Sequence, residues 1–144
     1  MQELRKFVLA ASALLFIAPA SGAAQNVDCR SCHGPGNIHE ARDFSLYYER
    51  RVRHHPAGIK YPTVPTATLG FKIPNGHIPG LVFFDLNDNG QPDINEIQLF
   101  EVGSAAMLEC ASCHREHGVA PASDKLYLRN DNTGSALCNT CHKL

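Results

Sequence analysis

Three pentapeptides constrain this sequence more than any other feature, because they place every cysteine of the chain in one repeated pattern. They read CRSCH from residue 29, CASCH from residue 110 and CNTCH from residue 138. The chain contains 6 cysteines, so the pentapeptides use all of them. In each one, two residues separate the cysteines and a histidine follows directly behind. A fold for this chain has to explain that arrangement three times.

Two ordinary uses of paired cysteines leave the histidines unexplained. Six cysteines can form three disulfides in an oxidising compartment, and CxxC pairs supply two of the four ligands of structural zinc sites. Neither use requires a histidine immediately after each pair. If about one residue in fifty is a histidine, three such coincidences arise on the order of once in 10⁵ chains.

Covalent attachment of haem explains each position of the pentapeptide. The two thiols bond to the two vinyl groups of the porphyrin, and the adjacent imidazole reaches the iron as an axial ligand. We therefore expect three covalently bound haem c groups, one at each pentapeptide. The predicted attachment residues and proximal ligands are Cys29, Cys32 and His33 at site one, Cys110, Cys113 and His114 at site two, and Cys138, Cys141 and His142 at site three.

Five further histidines are available for the second axial position of these irons. Methionine is scarce, and Met107 is the one that lies beyond the start of the chain, so bis-histidine ligation with low reduction potentials is expected. A haem with both axial positions filled transfers electrons and does little chemistry on substrates. The predicted distal ligands are His39, His55 and His117, with His54 and His77 as further candidates that act within the chain or across to a neighbouring subunit.

The beginning of the chain reads as a secretory signal peptide. Arg5 and Lys6 precede an apolar run over residues 7–18, and small residues follow, with cleavage expected after Ala24. The run is too short for a membrane-spanning helix, which needs about 20 residues. We therefore expect an exported protein, periplasmic or extracellular, with no integral membrane segment after cleavage. The formal net charge of −1 gives no reason to expect nucleic acid as a partner.

The carboxy-terminal part of the chain resembles the multihaem c-type cytochromes with a doubled CxxCH motif. The matching span is LECASCHREHGVAPASDKLYLRNDNTGSALCNTCH, and upstream HHPAGIKYP resembles the HPVGxxY element of that family. The resemblance implies electron transfer in the periplasm or outside the cell, with bis-histidine haems in stacked and perpendicular pairs. It also implies distal-ligand roles for His117 and His55. Some relatives, with more than three haems per subunit, polymerise into extracellular filaments in which a histidine of one subunit ligates a haem of the next.

Residues 25–144 are expected to form a single trihaem domain, after the signal peptide of residues 1–24. Its predicted segments are residues 25–70 with site one, residues 71–103 with a hairpin and a calcium-type loop, and residues 104–144 with sites two and three. Sites two and three thus form a pair in sequence, and site one is remote from them.

The expected fold is a mostly irregular multihaem c-type cytochrome fold with few short helices and a small β-hairpin. Apolar residues at helical spacing predict a helix over residues 40–53, which Pro56 ends, and Asn75-Gly76 is the predicted turn of the hairpin. Because Pro and Gly are frequent in a short chain, little apolar core is expected from the protein itself. We therefore predict a core formed by three stacked haems.

A second metal site is predicted in residues 85–96, DLNDNGQPDINE, which match the calcium loop D-x-[DN]-x-[DN]-G-x5-E. Pro92 and the lack of a helical pattern before the loop depart from the EF-hand arrangement. The alternative is an Asn- and Asp-rich turn that binds nothing, and we favour a structural Ca²⁺. The predicted ligands are Asp85, Asn87, Asn89, Gln91 through its carbonyl, Asp93 and Glu96.

These patterns predict an electron carrier without catalytic residues. It would exchange electrons with redox partner proteins, as a soluble shuttle or as the subunit of a homopolymeric filament. The alternative is a multihaem oxidoreductase with one open haem that acts on a small inorganic substrate such as nitrite, hydroxylamine or peroxide. Carbon monoxide binding to the reduced protein distinguishes the two, because a six-coordinate haem binds it poorly.

Overall fold

The computed structural model describes residues 28–36, 41–49, 57–64, 70–116 and 127–143. A five-stranded antiparallel sheet with the strand order β1-β5-β4-β3-β2 is its main element. The strands are β1 (Ile59–Lys60), β2 (Gly76–Ile78), β3 (Leu81–Phe83), β4 (Gln98–Val102) and β5 (Ala105–Leu108). The helices of the described ranges are α1 (Arg30–His33), α2 (Ser45–Tyr48), α3 (Cys110–Cys113) and α4 (Ala136–Cys141), and a 3₁₀ turn covers Thr133–Ser135.

The hairpin expected within residues 71–103 is present, but the predicted position of its turn is wrong. Strands β2 and β3 pair from Ile78 with Leu81, so the turn is Pro79-Gly80, where Gly80 takes a φ of 85°. Asn75 instead precedes β2, and its side-chain amide exchanges two hydrogen bonds with the backbone of Asp85, at 2.8 and 2.9 Å. The Asn-Gly pair therefore anchors the entry to the hairpin.

Apolar side chains of the protein pack on both faces of the sheet. On one face the buried cluster comprises Tyr61, Phe84, Ile97, Leu99, Ala106 and Leu137; on the other it comprises Leu81, Phe83, Phe100 and Ala111. Alternation along β3 and β4 sends neighbouring side chains to opposite faces, which is why both faces are apolar. The described residues thus contain a core of protein side chains, which the composition did not lead us to expect.

The helix predicted over residues 40–53 begins later in the structure. Residues 41–44 are not helical, and α2 starts at Ser45. The carboxylate of Asp43 accepts a hydrogen bond from the Ser45 N–H at 2.8 Å, a local turn that competes with helical pairing. Helix α2 also ends earlier than predicted, at Tyr48 with Glu49 as its cap, and residues 50–53 lie outside the described residues. Within the described ranges, no helix has the length and apolar character needed to cross a membrane.

Candidate functional site

Each pentapeptide forms one helical turn, and residues three apart on a helix, such as its two cysteines, are neighbours on the helix surface. In all three, the N–H of the histidine donates to the carbonyl of the first cysteine. These bonds are His33 to Cys29 at 2.8 Å, His114 to Cys110 at 2.9 Å and His142 to Cys138 at 2.9 Å. The sequence repeat is therefore also a structural repeat.

Sites two and three share one backbone conformation around the histidine. His114 has φ −106° and ψ 149°, and His142 has φ −105° and ψ 149°, so both leave the helical turn in an extended conformation. Each then forms an isolated antiparallel β-bridge, His114 with Leu128 and His142 with Phe71. Leu128 lies between sites two and three in the sequence, whereas Phe71 comes from the segment between β1 and β2.

Backbone hydrogen bonds on either side of the two bridges repeat the same pattern. At each site, a basic residue of the partner strand donates to the carbonyl of the second cysteine, and the residue after the histidine donates back. At site two the bonds are Arg129 to Cys113 and Arg115 to Tyr127, both at 2.7 Å; at site three they are Lys72 to Cys141 at 2.7 Å and Lys143 to Gly70 at 2.6 Å. At sites two and three, this pairing of the backbone thus limits the direction of the histidine.

Aromatic rings contact two of the predicted proximal histidines. The ring of Phe44 lies 4.7 Å from that of His33 at an interplanar angle of 21°, and the ring of Phe71 lies 4.7 Å from that of His142 at 40°. The Nδ1 of His33 is also 2.8 Å from the carbonyl oxygen of Arg42. When Nδ1–H donates to that carbonyl, the Nε2 lone pair remains for a metal. Sequence reasoning missed both phenylalanines, since only tertiary contact places them at the histidines.

The pentapeptides fit covalent haem. No disulfide joins the 6 cysteines, all of which lie in the described residues; Cys32 is exposed and the others are partly buried, and His114 and His142 are exposed. In the part of the chain that the structure describes, no three His, Cys, Asp or Glu side chains converge as a metal site. Two cysteines three residues apart on one helical turn, with an accessible imidazole behind them, match the attachment chemistry.

Site one, remote from site two in the sequence, contacts it in the structure. The Tyr48 hydroxyl of site one lies 3.3 Å from the Cys110 Sγ, and Cys29 is near enough to Cys110 for the two thiols to shift each other's pKa. The interactions with Cys29 and then with Tyr48 lower the pKa of Cys110 to about 6, and the interaction with Cys110 raises the pKa of Cys29. The Arg30 guanidinium lies over the Tyr48 ring, 5.0 Å from its centroid.

Sites two and three meet on the apolar face of the sheet that contains Leu137. Cys113 and Cys141 both pack against the buried cluster to which Leu137 and Tyr61 belong. The Tyr61 hydroxyl donates to the carbonyl of Cys141 at 3.0 Å. Burial raises the pKa of Cys113 to about 12, with a further contribution from nearby Cys141, and burial raises the pKa of Cys141 to about 11. Tyr61 is the tyrosine of the HPVGxxY-like element of the sequence, and the structure places it against site three.

Most of the predicted distal ligands cannot be placed. His39, His54, His55 and His117 lie outside the described residues. His77 lies on β2, where its Nε2 is 3.3 Å from the Oε1 of Glu101 and 63% of its side chain is exposed. Its role as a ligand stays a prediction, since the structure gives it a carboxylate as a neighbour.

The calcium-type loop is folded around its first carboxylate. Asp85, 9% exposed, accepts hydrogen bonds from the N–H groups of Asn89 at 3.1 Å and Gly90 at 2.7 Å. The side-chain oxygen of Asn87 accepts from the N–H of Asn89 at 3.1 Å, and that of Asn89 accepts from the N–H of Gln91 at 2.7 Å. Gly90 adopts a φ of 73°, so the sharp bend at loop position 6 uses a residue that tolerates it.

The last carboxylate closes the loop from inside the protein. Glu96 is 1% exposed and accepts hydrogen bonds from the N–H groups of Leu86 at 2.7 Å and Asp93 at 3.1 Å. The side-chain amides of Asn87 and Asn89 both donate to Oδ2 of Asp93, at 2.7 and 2.9 Å. Five of the predicted calcium ligands thus meet in one network through their side chains, and Gln91 joins it through its N–H.

Comparison with protein families places the second and third pentapeptides in a known pattern. Residues 103–144 match the family model described as doubled CXXCH motif. The match supports a multihaem c-type cytochrome. It indicates a haem-binding electron-transfer protein with covalently bound haem c, and proteins of this kind are typically exported. Comparisons with curated proteins and with solved structures gave no match.

Proposed function

We propose that this chain is an exported trihaem c-type cytochrome that carries electrons between bis-histidine haems. The observation that supports it best is the threefold repetition of one turn, in which each histidine N–H bonds to the first cysteine of its pentapeptide. Haem c, when bound, supplies a reversible one-electron iron couple. The role of the protein is then to hold, orient and space its three sites.

The residues around the proximal histidines have positioning roles in this proposal. The Arg42 carbonyl accepts a hydrogen bond from Nδ1 of His33, which would leave Nε2 for the iron of a bound haem. The bridges of His114 with Leu128 and of His142 with Phe71 limit rotation of the backbone that carries each imidazole. Pre-set ligands lower the rearrangement needed when the iron changes charge, which suits a carrier.

Haem counting and carbon monoxide binding test the proposal together. The intact mass and the absorption spectrum of the purified protein should give three haems per chain. The reduced protein should bind little carbon monoxide, because both axial positions of each iron are filled. Fewer than three haems contradicts the trihaem assignment. Carbon monoxide binding to one haem in full favours the alternative, an oxidoreductase with an open site for a small inorganic substrate.

The proposal places the protein in the periplasm or outside the cell, where it exchanges electrons with redox partner proteins. It extends to a polymeric form in which His54 or His77 ligates a haem of the next subunit. The exposure of His77 on the edge strand β2 is compatible with such a contact. Cryo-electron microscopy of protein from the native extracellular fraction separates filaments from discrete particles, and discrete particles alone contradict the polymeric form.

We also propose that residues 85–96 bind one structural Ca²⁺. Support comes from the position of Asp85 and Glu96, two carboxylates held inside the protein within one short loop. Concentrated negative charge away from water is costly, and hydrogen bonds from backbone N–H groups offset only part of that cost. A hard cation with oxygen ligands offsets it further. A bound Ca²⁺ would replace the hydrogen bonds that the side chains of Asn87 and Asn89 donate to Asp93.

A further inference from the structure

The two cysteines of the second pentapeptide face different neighbours. The Sγ of Cys110 lies 3.3 Å from the hydroxyl of Tyr48, and Cys29 of the first pentapeptide is near enough to Cys110 to shift its pKa. The ring of Tyr48 in turn lies under the guanidinium of Arg30, the residue after Cys29. Tyr48 and Cys110 are 62 positions apart, so this contact joins two distant parts of the chain.

Cys113, at the other end of the same helical turn, faces the third pentapeptide. It packs with Cys141 against the buried cluster that includes Leu137, the residue before Cys138. The thiols of Cys141 and Cys138 lie near enough to Cys113 to raise its pKa. The contacts of Cys113 and of Cys110 therefore lead to different sites.

We propose that the second pentapeptide is the central haem site, adjacent to site one through Cys110 and to site three through Cys113. The inference rests on the proposed attachment of three haems. Each thioether ties one edge of a haem to its cysteine, so cysteines in contact bring the attached edges of two haems together. Electrons that pass between sites one and three then go through the site that Cys110 and Cys113 hold. The sequence alone suggested a close pair, sites two and three, with a remote third.

Removal of one attachment site at a time tests this order. The variants C29A/C32A, C110A/C113A and C138A/C141A, matured with haem, each leave a different pair of sites. The magnetic interaction between two oxidised low-spin irons falls steeply with their separation, and it broadens the low-temperature electron paramagnetic resonance spectrum. We expect broadening in C29A/C32A and C138A/C141A. We expect loss of broadening in C110A/C113A, whose spectrum should approach the sum of two isolated haems.

Haem counting by mass separates failure of the order from failure of the proposed function. If the wild type carries no covalent haem, the proposed function fails. If the wild type carries three haems and each variant two, then broadening that survives in C110A/C113A, or is equal in all three variants, overturns the central position of site two.

A second set of variants decides the question if a site-removal variant does not fold. His33→Met, His114→Met and His142→Met keep the cysteines, and methionine ligation raises the reduction potential of the altered haem. Partial reduction then makes that one iron diamagnetic in an otherwise complete protein. Broadening between the remaining oxidised irons should disappear in His114→Met and persist in the other two. The reverse pattern, or persistence in all three, overturns the proposal.

Discussion

Phe71 forms an antiparallel β-bridge with His142, and the centroids of their rings are 4.7 Å apart. The Phe71 ring also meets the edge of the Tyr61 ring at 5.5 Å. Tyr61 donates its hydroxyl to the carbonyl of Cys141, a residue 80 positions away. Two aromatic residues from the segment between β1 and β2 thus support the last pentapeptide of the chain.

Phe71→Ala should therefore destabilise the protein and disturb site three. We expect a loss of about 2 kcal/mol in the free energy of unfolding, less than for a fully buried phenylalanine, because the ring is only partly buried. Denaturant unfolding of the haem-loaded protein measures the loss, and electron paramagnetic resonance follows the haem at site three. Ile73→Ala is the control, since that side chain is 40% exposed. Equal losses in the two variants would contradict the supporting role of Phe71.

His142→Ala should remove an axial ligand without removing haem. The thioether bonds depend on Cys138 and Cys141, so the mass of the variant should still include three haems. Its low-spin signal should fall by about one third, because one of three irons loses its second strong ligand. Absorption and electron paramagnetic resonance spectra measure the change. An unaltered low-spin signal would show that His142 is not the ligand.

In the haem-free chain at neutral pH, Cys110 should react faster than Cys29, Cys113 and Cys141. Its pKa of about 6 leaves it as thiolate above that pH, and the reactive form is lost as the pH falls through 6. Burial raises the pKa of Cys113 and Cys141, which stay protonated at neutral pH. Alkylation followed by peptide mass spectrometry gives the order of reaction.

Tyr48→Phe should slow that alkylation of Cys110, since it removes a hydrogen bond that stabilises the thiolate. Tyr47→Phe, which alters the adjacent residue of the same helix, provides the matched control. Equal alkylation rates in these two variants would show that Tyr48 does not affect the reactivity of Cys110.

Calcium should raise the melting temperature of the wild type, and a chelator should reverse the effect. A ligand at 100 times its Kd stabilises a protein by about 2.7 kcal/mol. Glu96→Gln should abolish the response, because it removes the charge of the buried carboxylate that closes the loop. Asp88→Asn should retain it, since Asp88 is exposed and occupies a position without a predicted ligand. If neither calcium nor chelator changes the melting temperature of the wild type, the loop is a hydrogen-bonded turn that binds no calcium.

Gly76→Ala should destabilise the sheet by about 2 kcal/mol, the usual cost of overpacking. A Cβ on Gly76 would lie 2.3 Å from the ring of Phe83, its partner across β2 and β3. In the double variant with Phe83→Leu, part of this loss should be recovered, because the smaller side chain leaves room. Strict additivity of the two single losses, measured by thermal or denaturant unfolding, would contradict a clash at this position.

In the hairpin, the local sequence predicts the strands but not which residues form the turn. Strands within residues 71–103 follow from alternating apolar residues, but both Asn75-Gly76 and Pro79-Gly80 are good turn sequences. The choice between them depends on Phe83, which needs a residue without a side chain opposite it, and on Asp85, whose backbone pairs with Asn75. Both are partners across the sheet, so a local pattern does not reveal which turn forms.

The pentapeptides, by themselves, determined the chemistry of this protein, because haem attachment needs two thiols and an imidazole at fixed spacing within five residues. The same local spacing produced the same helical turn at all three sites. Only the tertiary structure decided which sites are neighbours. Tyr48 meets Cys110, and Phe71 meets His142, because the chain brings distant segments together around the sheet. Such contacts depend on packing across the whole fold, which no short stretch of sequence specifies.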